Sequence, residues 1–231
     1  YLIFNEGYAA TAGDDWVRPA LCEDALRLGR ILAELAPDEP EVHGLVALME
    51  IQASRLRARV GPDGEPVLLL DQDRARWDQL LIRRGLTALD RAAGLEGPPG
   101  PYLLQAAIAA CHMAGDGPDW LQIAALYDSL LRFEPTAVVR LNRAVAYGEA
   151  HAAALGLRMI EDLQSERTAY QPYHAARAEF LGRNRMIGPA LAAYEMAIAM
   201  AASAADAAML MRNRDLVARS AEASVFQSSG S

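Results

Sequence analysis

The sequence predicts an all-helical fold made of antiparallel helix pairs, and three observations carry that reading. Apolar residues recur at helical spacing along nearly the whole chain, as in Leu21, Ala25, Leu28, Leu32 and Leu35, or Trp120, Ile123, Tyr127 and Leu130. Helix-start signals accompany these stripes: Asp38 followed by Glu41 has the form of a capping box, and Pro101 and Pro118 stand where a first helical residue belongs. A pattern of small and bulky residues then returns at a period of about 34 residues, the length of a two-helix unit.

Taken in order, a short helix is expected before Gly13, followed by helices over 17–36, 39–59, 73–93, 101–114, 118–133, 136–150, 153–164, 171–183 and 187–202, with a last one around 204–221. Gly, Pro and Asp clusters mark most of the stops. Only 60–68 reads differently, because Asp63-Gly64 forms a turn signal between short apolar runs; a small hairpin and an ordered loop both fit. Residues 222–231 are small and polar without periodicity, and a flexible tail is expected there.

The repeat is clearest in the second half. A tetratricopeptide unit is two antiparallel helices with a small residue near the start of the second helix, a bulky one four later and a small or apolar one three after that. Ile123, Tyr127, Leu130 and Pro135 follow this pattern, then Gly156, Ile160 and Leu163 after 33 residues, then Ala190, Tyr194 and Ala197 after 34. An earlier match, Ala25, Gly29, Leu32 and Pro37, lies 98 residues before Ile123, close to three periods but across the non-helical stretch. The expected fold is therefore all-α: tetratricopeptide-like antiparallel pairs stacked as a short superhelix, with degenerate repeats in the first half. Such units cannot bury their faces alone, so they stack, and the inner surface of the stack is the usual binding site.

Composition narrows the function. At 231 residues and 52% hydrophobic, the chain has enough material for a core without disulfide or metal support. Cys22 and Cys111 stand far apart, and no signal-peptide order precedes them, which favours a reducing cytoplasm. All 22 positive side chains are arginine, which with the high alanine content points to a GC-rich bacterial coding sequence. The net charge of −8 disfavours direct binding of nucleic acid, and every apolar stretch is too interrupted to span a membrane. The start at Tyr1, inside the apolar run Tyr1-Leu2-Ile3-Phe4, reads as a piece of a longer polypeptide.

No catalytic set assembles from spacing. His43, His112, His151 and His174 fall on separate helices without an i, i+4 ligand pair, and Cys111 and His112 point about 100° apart on one helix. Neither a Walker loop nor a nucleophile elbow occurs, so no enzyme, metal or cofactor is expected. The densest polar cluster is Asp71-Gln72-Asp73-Arg74-Ala75-Arg76-Trp77-Asp78. Ala75 stands where a calcium loop needs an oxygen ligand, and no glycine holds the sixth position. Asp71 or Asp73 fits a helix N-cap; alternatively, Asp71, Asp73, Arg74, Arg76 and Trp77 form a recognition surface, since Arg and Trp are common interface anchors. Asn142 and Arg143 lie on the first helix of a repeat, where they either face a partner or bond between repeats. Asn5, Glu6 and Tyr8 either form a turn around Gly7 or secure the domain to preceding chain.

Several of these blocks together resemble one family. They are Tyr1-Leu2-Ile3-Phe4-Asn5-Glu6-Gly7-Tyr8, Pro40-Glu41-Val42-His43-Gly44-Leu45-Val46-Ala47-Leu48-Met49, the Asp71–Asp78 cluster, Gly100-Pro101-Tyr102-Leu103-Leu104-Gln105-Ala106-Ala107, Asp119-Trp120-Leu121-Gln122-Ile123-Ala124 and Leu141-Asn142-Arg143-Ala144-Val145-Ala146. In order and content they resemble the extracytoplasmic-function-type RNA polymerase sigma factors that carry a C-terminal tetratricopeptide-like extension. The chain departs from that family at Leu70, where an acidic residue is common, and at its tail. The resemblance implies that the intact protein begins with sigma regions 2 and 4, which bind core polymerase and read the promoter, and that this chain is the extension alone. On that reading 1–16 joins the missing modules, 17–221 is the helical domain and 222–231 the tail. The implied partners are the protein's own sigma modules, RNA polymerase or a regulatory protein, with DNA reached only through the missing modules and no membrane involved. A small-ligand sensor controlling those modules is the alternative.

Overall fold

In the computed structural model, the structure describes residues 1–8, 17–62, 67–113, 117–164 and 169–228. Eleven α-helices and three single 3-10 turns account for the regular structure among the described residues, and none of these forms a strand. The chain divides into two compact units, Tyr1–Glu134 and Pro135–Ser231.

The first unit holds α1 (Leu2–Tyr8), α2 (Pro19–Leu35), α3 (Pro40–Ala53), α4 (Gln79–Gly94), α5 (Pro101–Cys111) and α6 (Trp120–Leu130). Proline opens α2, α3 and α5, where its missing N–H costs nothing. The centre is α3, apolar almost all round, with Val46, Ala47, Leu48, Met49 and Ile51 buried against α2, α4 and α5. Small residues set these approaches: a Cβ on Gly44 would stand 2.7 Å from the backbone nitrogen of Leu103.

Glu41 finds a different partner from the one its spacing implies. Asp38 lies outside the helix, Glu39 is the N-cap of α3 without a side-chain bond, and the capping box does not form. The Glu41 carboxylate instead accepts the N–H groups of Tyr102 and Leu103, at 2.8 and 3.0 Å, across some sixty residues of chain. It thus serves the positive N-terminal end of α5, with hydrogen bonds to a charged acceptor worth roughly 1.5–3 kcal/mol each. Gly100 makes this possible, because a side chain there would collide with that carboxyl.

The second unit holds α7 (Ala137–Ala150), α8 (Ala153–Glu161), α9 (Gln171–Arg183), α10 (Ile187–Ala199) and α11 (Ala204–Ser228). Thr136 caps α7 through Val139 N–H at 3.3 Å. A two-residue link turns the chain back, so α7 and α8 run antiparallel with Gly148 against Gly156; a Cβ on Gly156 would lie 2.8 Å from Gly148 Cα. Next, α9 pairs with α10, and α11 closes over α10. Their shared core joins Leu141, Ile160, Tyr173, Phe180, Leu181 and Tyr194. Most repeat positions fall where the pattern puts them: Ile123 and Leu130 in the first unit, and Gly156, Ile160, Leu163, Ala190, Tyr194 and Ala197 in the second, are buried, whereas Tyr127 is half-buried and Pro135 exposed. The first-half match is weaker, since Ala25 and Gly29 are buried but Leu32 is 43% exposed on the outer face of α2.

Several boundaries differ from expectation. The helix expected over 39–59 ends at Ala53, where Ser54 Oγ donates to Ile51 O at 2.6 Å, and the chain continues through a 3-10 turn, Leu56–Ala58. The helix expected from 73 begins at Gln79, because 69–76 forms two 3-10 turns first. Pro118 precedes the Asp119 N-cap of α6 rather than opening the helix. The last helix runs on to Ser228 instead of stopping at 221, as no Gly or Pro interrupts it before Gly230. Of the segment proposed as hairpin or loop, 63–66 lies outside the described residues, and beside it Val67 N–H donates to Arg59 O at 2.8 Å.

Candidate interaction surface

The Asp71–Asp78 segment is an ordered connection fastened to the exit of α3. Asp73 accepts Ala75 N–H at 3.0 Å and closes the 3-10 turn Arg74–Arg76. Asp78, not Asp71 or Asp73, is the N-cap of α4, accepting from Leu80 and Leu81 at 2.9 and 3.1 Å. Its own N–H donates to Ser54 O at 2.8 Å, which anchors the start of α4 to the end of α3. Gln72 is buried and donates to Val67 O at 3.2 Å.

Trp77 corrects the sequence reading. At 5% exposure it is an anchor of this unit's interior, with the Arg74 guanidinium 5.1 Å above its ring, and it is not displayed to a partner. The face that remains is polar: Asp71, Asp73 and Arg76 are exposed and Arg74 is half-buried. Among the described residues Arg76 makes one long contact, 3.4 Å, to Val60 O.

The α1 residues separate into two roles. Asn5 is exposed, and Glu6 pairs with Arg18 at 3.1 Å. Tyr8 turns inward, its hydroxyl accepting from Arg55 Nη2 at 3.2 Å and its ring lying 3.8 Å beneath the Arg59 guanidinium. Gly7 is an interior helical position rather than a turn, and a Cβ there would press on Cys22 Sγ at 2.8 Å. Asn142 and Arg143 belong to the second unit; Asn142 is exposed, and Arg143 lies 4.8 Å over the Tyr147 ring.

Within the first unit, then, Tyr8 and the Asp71–Asp78 segment converge on one stretch, 54–60, that sequence reasoning missed. Its signal is visible in retrospect: Arg55, Arg57 and Arg59 break the apolar pattern of the helix expected to contain them. Beside it opens a cleft of about 380 Å³, lined by Cys22, Leu26, Ser54, Arg57, Asp78 and Leu81. Burial pushes the Cys22 thiol up to about 11, with Arg59 opposing and Glu23 adding to the rise, so at neutral pH it is a weak nucleophile. Cys111 is half-buried rather than buried; its thiol, also raised chiefly by burial, donates to Gln122 Oε1 at 3.3 Å. Among the described residues no three His, Cys, Asp or Glu side chains gather into a metal-ligating group, and no helix is long and apolar enough to cross a membrane.

Comparison with known proteins places this region, not the chemistry. Residues 1–93, which cover α1 to α3, all but the last residue of α4 and the stretch just described, match a family of unknown function (DUF6596). A Rhizobium meliloti protein described as uncharacterized is 42% identical over 221 residues, which is 94% of this chain and 52% of that protein. The chain therefore spans about half the length of the curated relative it matches. No solved structure matches.

Proposed function

We propose that this chain is the regulatory, protein-binding extension of a sigma factor that directs RNA polymerase to promoters, separated here from sigma regions 2 and 4. The reading assigns it no catalysis and no cofactor. It rests on the resemblance of the sequence blocks, and the observation that carries it furthest is the exposed rim Asp71, Asp73 and Arg76, held by two 3-10 turns, the second capped by Asp73, on a buried Trp77 base. An ordered connection with a charged outer edge is a rigid platform for a protein contact, since loops fixed by their scaffold commonly carry recognition. The partners on this reading are the protein's own sigma modules, RNA polymerase or a regulatory protein.

A second reading, a small-ligand sensor, draws on the cleft of about 380 Å³ beside this platform, whose size falls within the range of small-molecule sites. Arg76→Ala in the full-length protein separates the two. As a surface change it shifts stability by no more than about 0.5 kcal/mol. If the rim is the contact, promoter-dependent transcription with core polymerase changes by about fivefold or more, the effect of losing roughly 1 kcal/mol of binding. A variant that melts and transcribes like the parent removes the rim as a site and leaves the cleft as the stronger candidate.

A further inference from the structure

Buried guanidinium groups are ordinarily answered by carboxylates, because an uncompensated charge removed from water is among the costliest features a fold can carry. Glu50 obeys the rule: at 1% exposure it meets Arg30 at 2.7 Å. Arg55 does not. It is 7% exposed, and among the described residues its Nη2 reaches only the Tyr8 hydroxyl while its buried Nε has no acceptor. Arg59, four residues on, lies on the face of the same tyrosine, and its Nε is also buried without an acceptor among the described residues. No described carboxylate forms an ion pair with either arginine.

The described neighbours do not supply the missing charge. Burial, then Arg59, pulls the Arg55 guanidinium below its usual range while Tyr8 opposes this; His112 on the α5 side is held neutral, in part by Arg55 itself. Tyr8 accepts the Arg55 N–H, so its own hydroxyl proton remains available to a further acceptor. Two cations and one free O–H thus meet where no described anion does. Arg59 is only half-buried, which leaves a side open to solvent.

We propose that Arg55, Arg59 and Tyr8 form a receptor for a phosphate-type oxyanion. A dianion matches two unanswered guanidinium groups, where a single carboxylate would neutralise one, and arginine is the side chain best shaped for phosphate oxygens. The ligand is either inorganic phosphate or the phosphoryl group of a small phosphomonoester. This site shares the stretch 54–60 with the Asp71–Arg76 rim but uses none of the rim's side chains, and it does not depend on the sigma-factor reading.

The test is calorimetric titration of the 231-residue chain at constant ionic strength with inorganic phosphate and, separately, with phenyl phosphate. A saturable isotherm is required, since phosphate also stabilises proteins without binding a site. Tighter binding of the ester assigns the site to a phosphorylated small molecule, and equal or weaker binding assigns it to the free ion. Arg59→Gln should weaken binding by about tenfold or more, the loss of one charge-assisted contact. Tyr8→Phe keeps the ring under Arg59 and removes only the hydroxyl, so it should fold and weaken binding by several fold, even if Arg59→Gln does not fold. Arg84→Gln, exposed on α4, should bind like the parent. Absence of a saturable isotherm for both probes, or parental affinity in both Arg59→Gln and Tyr8→Phe, or an equal loss in Arg84→Gln, overturns the proposal.

Discussion

His112 shows how much a single side chain owes to surroundings that its position in the chain does not announce. It ends α5 with its ring edge-on to Trp120, centroids 5.3 Å apart, and its Nδ1 is buried without a partner among the described residues. Burial first, and the Arg55 charge second, lower its pKa from 6.5 to about 4. The folded value is the depressed one, so the unfolded chain takes up a proton that the fold refuses. The stability that neutral His112 contributes is whole above the unfolded value of 6.5 and is lost as pH falls toward 4. The full loss is on the order of 3 kcal/mol. Urea melts of the parent should therefore weaken between pH 7 and pH 5 more steeply than those of His112→Gln; identical slopes would mean that His112 is solvated and titrates normally. The sequence reading found this histidine, but nothing local reveals the arginine beside it. Trp77 and Glu41 teach the same lesson. A tryptophan just after two arginines reads equally well as an interface anchor or as a core plug, and a glutamate three residues after an aspartate reads as a capping box, until a distant element arrives to claim it.

At the level of elements, the helices themselves were legible because periodicity and proline starts are local, and the repeat offsets located the buried positions of α6, α8 and α10. What was not legible is where helices yield to tighter turns. The stretches 54–58 and 69–76 contain residues that tolerate a helix, and they leave it because Ser54 bonds back to Ile51 and Asp78 caps α4 while binding the end of α3. Glycine at a helix crossing is the complementary case, since its type is visible in the sequence but its contact is not. Gly156 meets Gly148 backbone and the Phe180 ring, which stands 3.0 Å from where its Cβ would be, whereas Gly188 on α10 meets nothing within 4 Å. Gly156→Val should cost about 1–3 kcal/mol by forcing α7 and α8 apart, and Gly188→Ala should be neutral or gain up to about 1 kcal/mol from helix propensity. Chemical denaturation of the two variants checks this, and a Gly156→Val protein as stable as the parent would show that the α7–α8 approach is looser than the structure has it.

For the whole molecule the governing quantity is charge. Thirty acidic side chains against 22 arginines leave the chain at −8, and several arginines are already engaged internally: Arg30 with Glu50, Arg177 with Glu161, Arg214 with Glu195 and Asp215. A protein that holds duplex phosphates needs a face of uncommitted cations whose counterion release makes affinity fall steeply with salt. Here the net field repels the duplex, and Arg55 is buried with Arg59 half-buried beside it, so the pair offers no row of exposed cations to track a groove. A site for one small oxyanion and indifference to a polyanion are thus compatible, because the first depends on one partly buried pair and the second on the whole surface. If the sigma-factor reading is right, DNA contact belongs to modules outside this chain. Titrated alone against promoter-containing duplex at physiological salt, the 231-residue chain should show no binding. Submillimolar affinity that weakens steeply between low and high salt would mean that a cationic face operates despite the net charge, and the division of labour between this chain and the sigma modules would have to be abandoned.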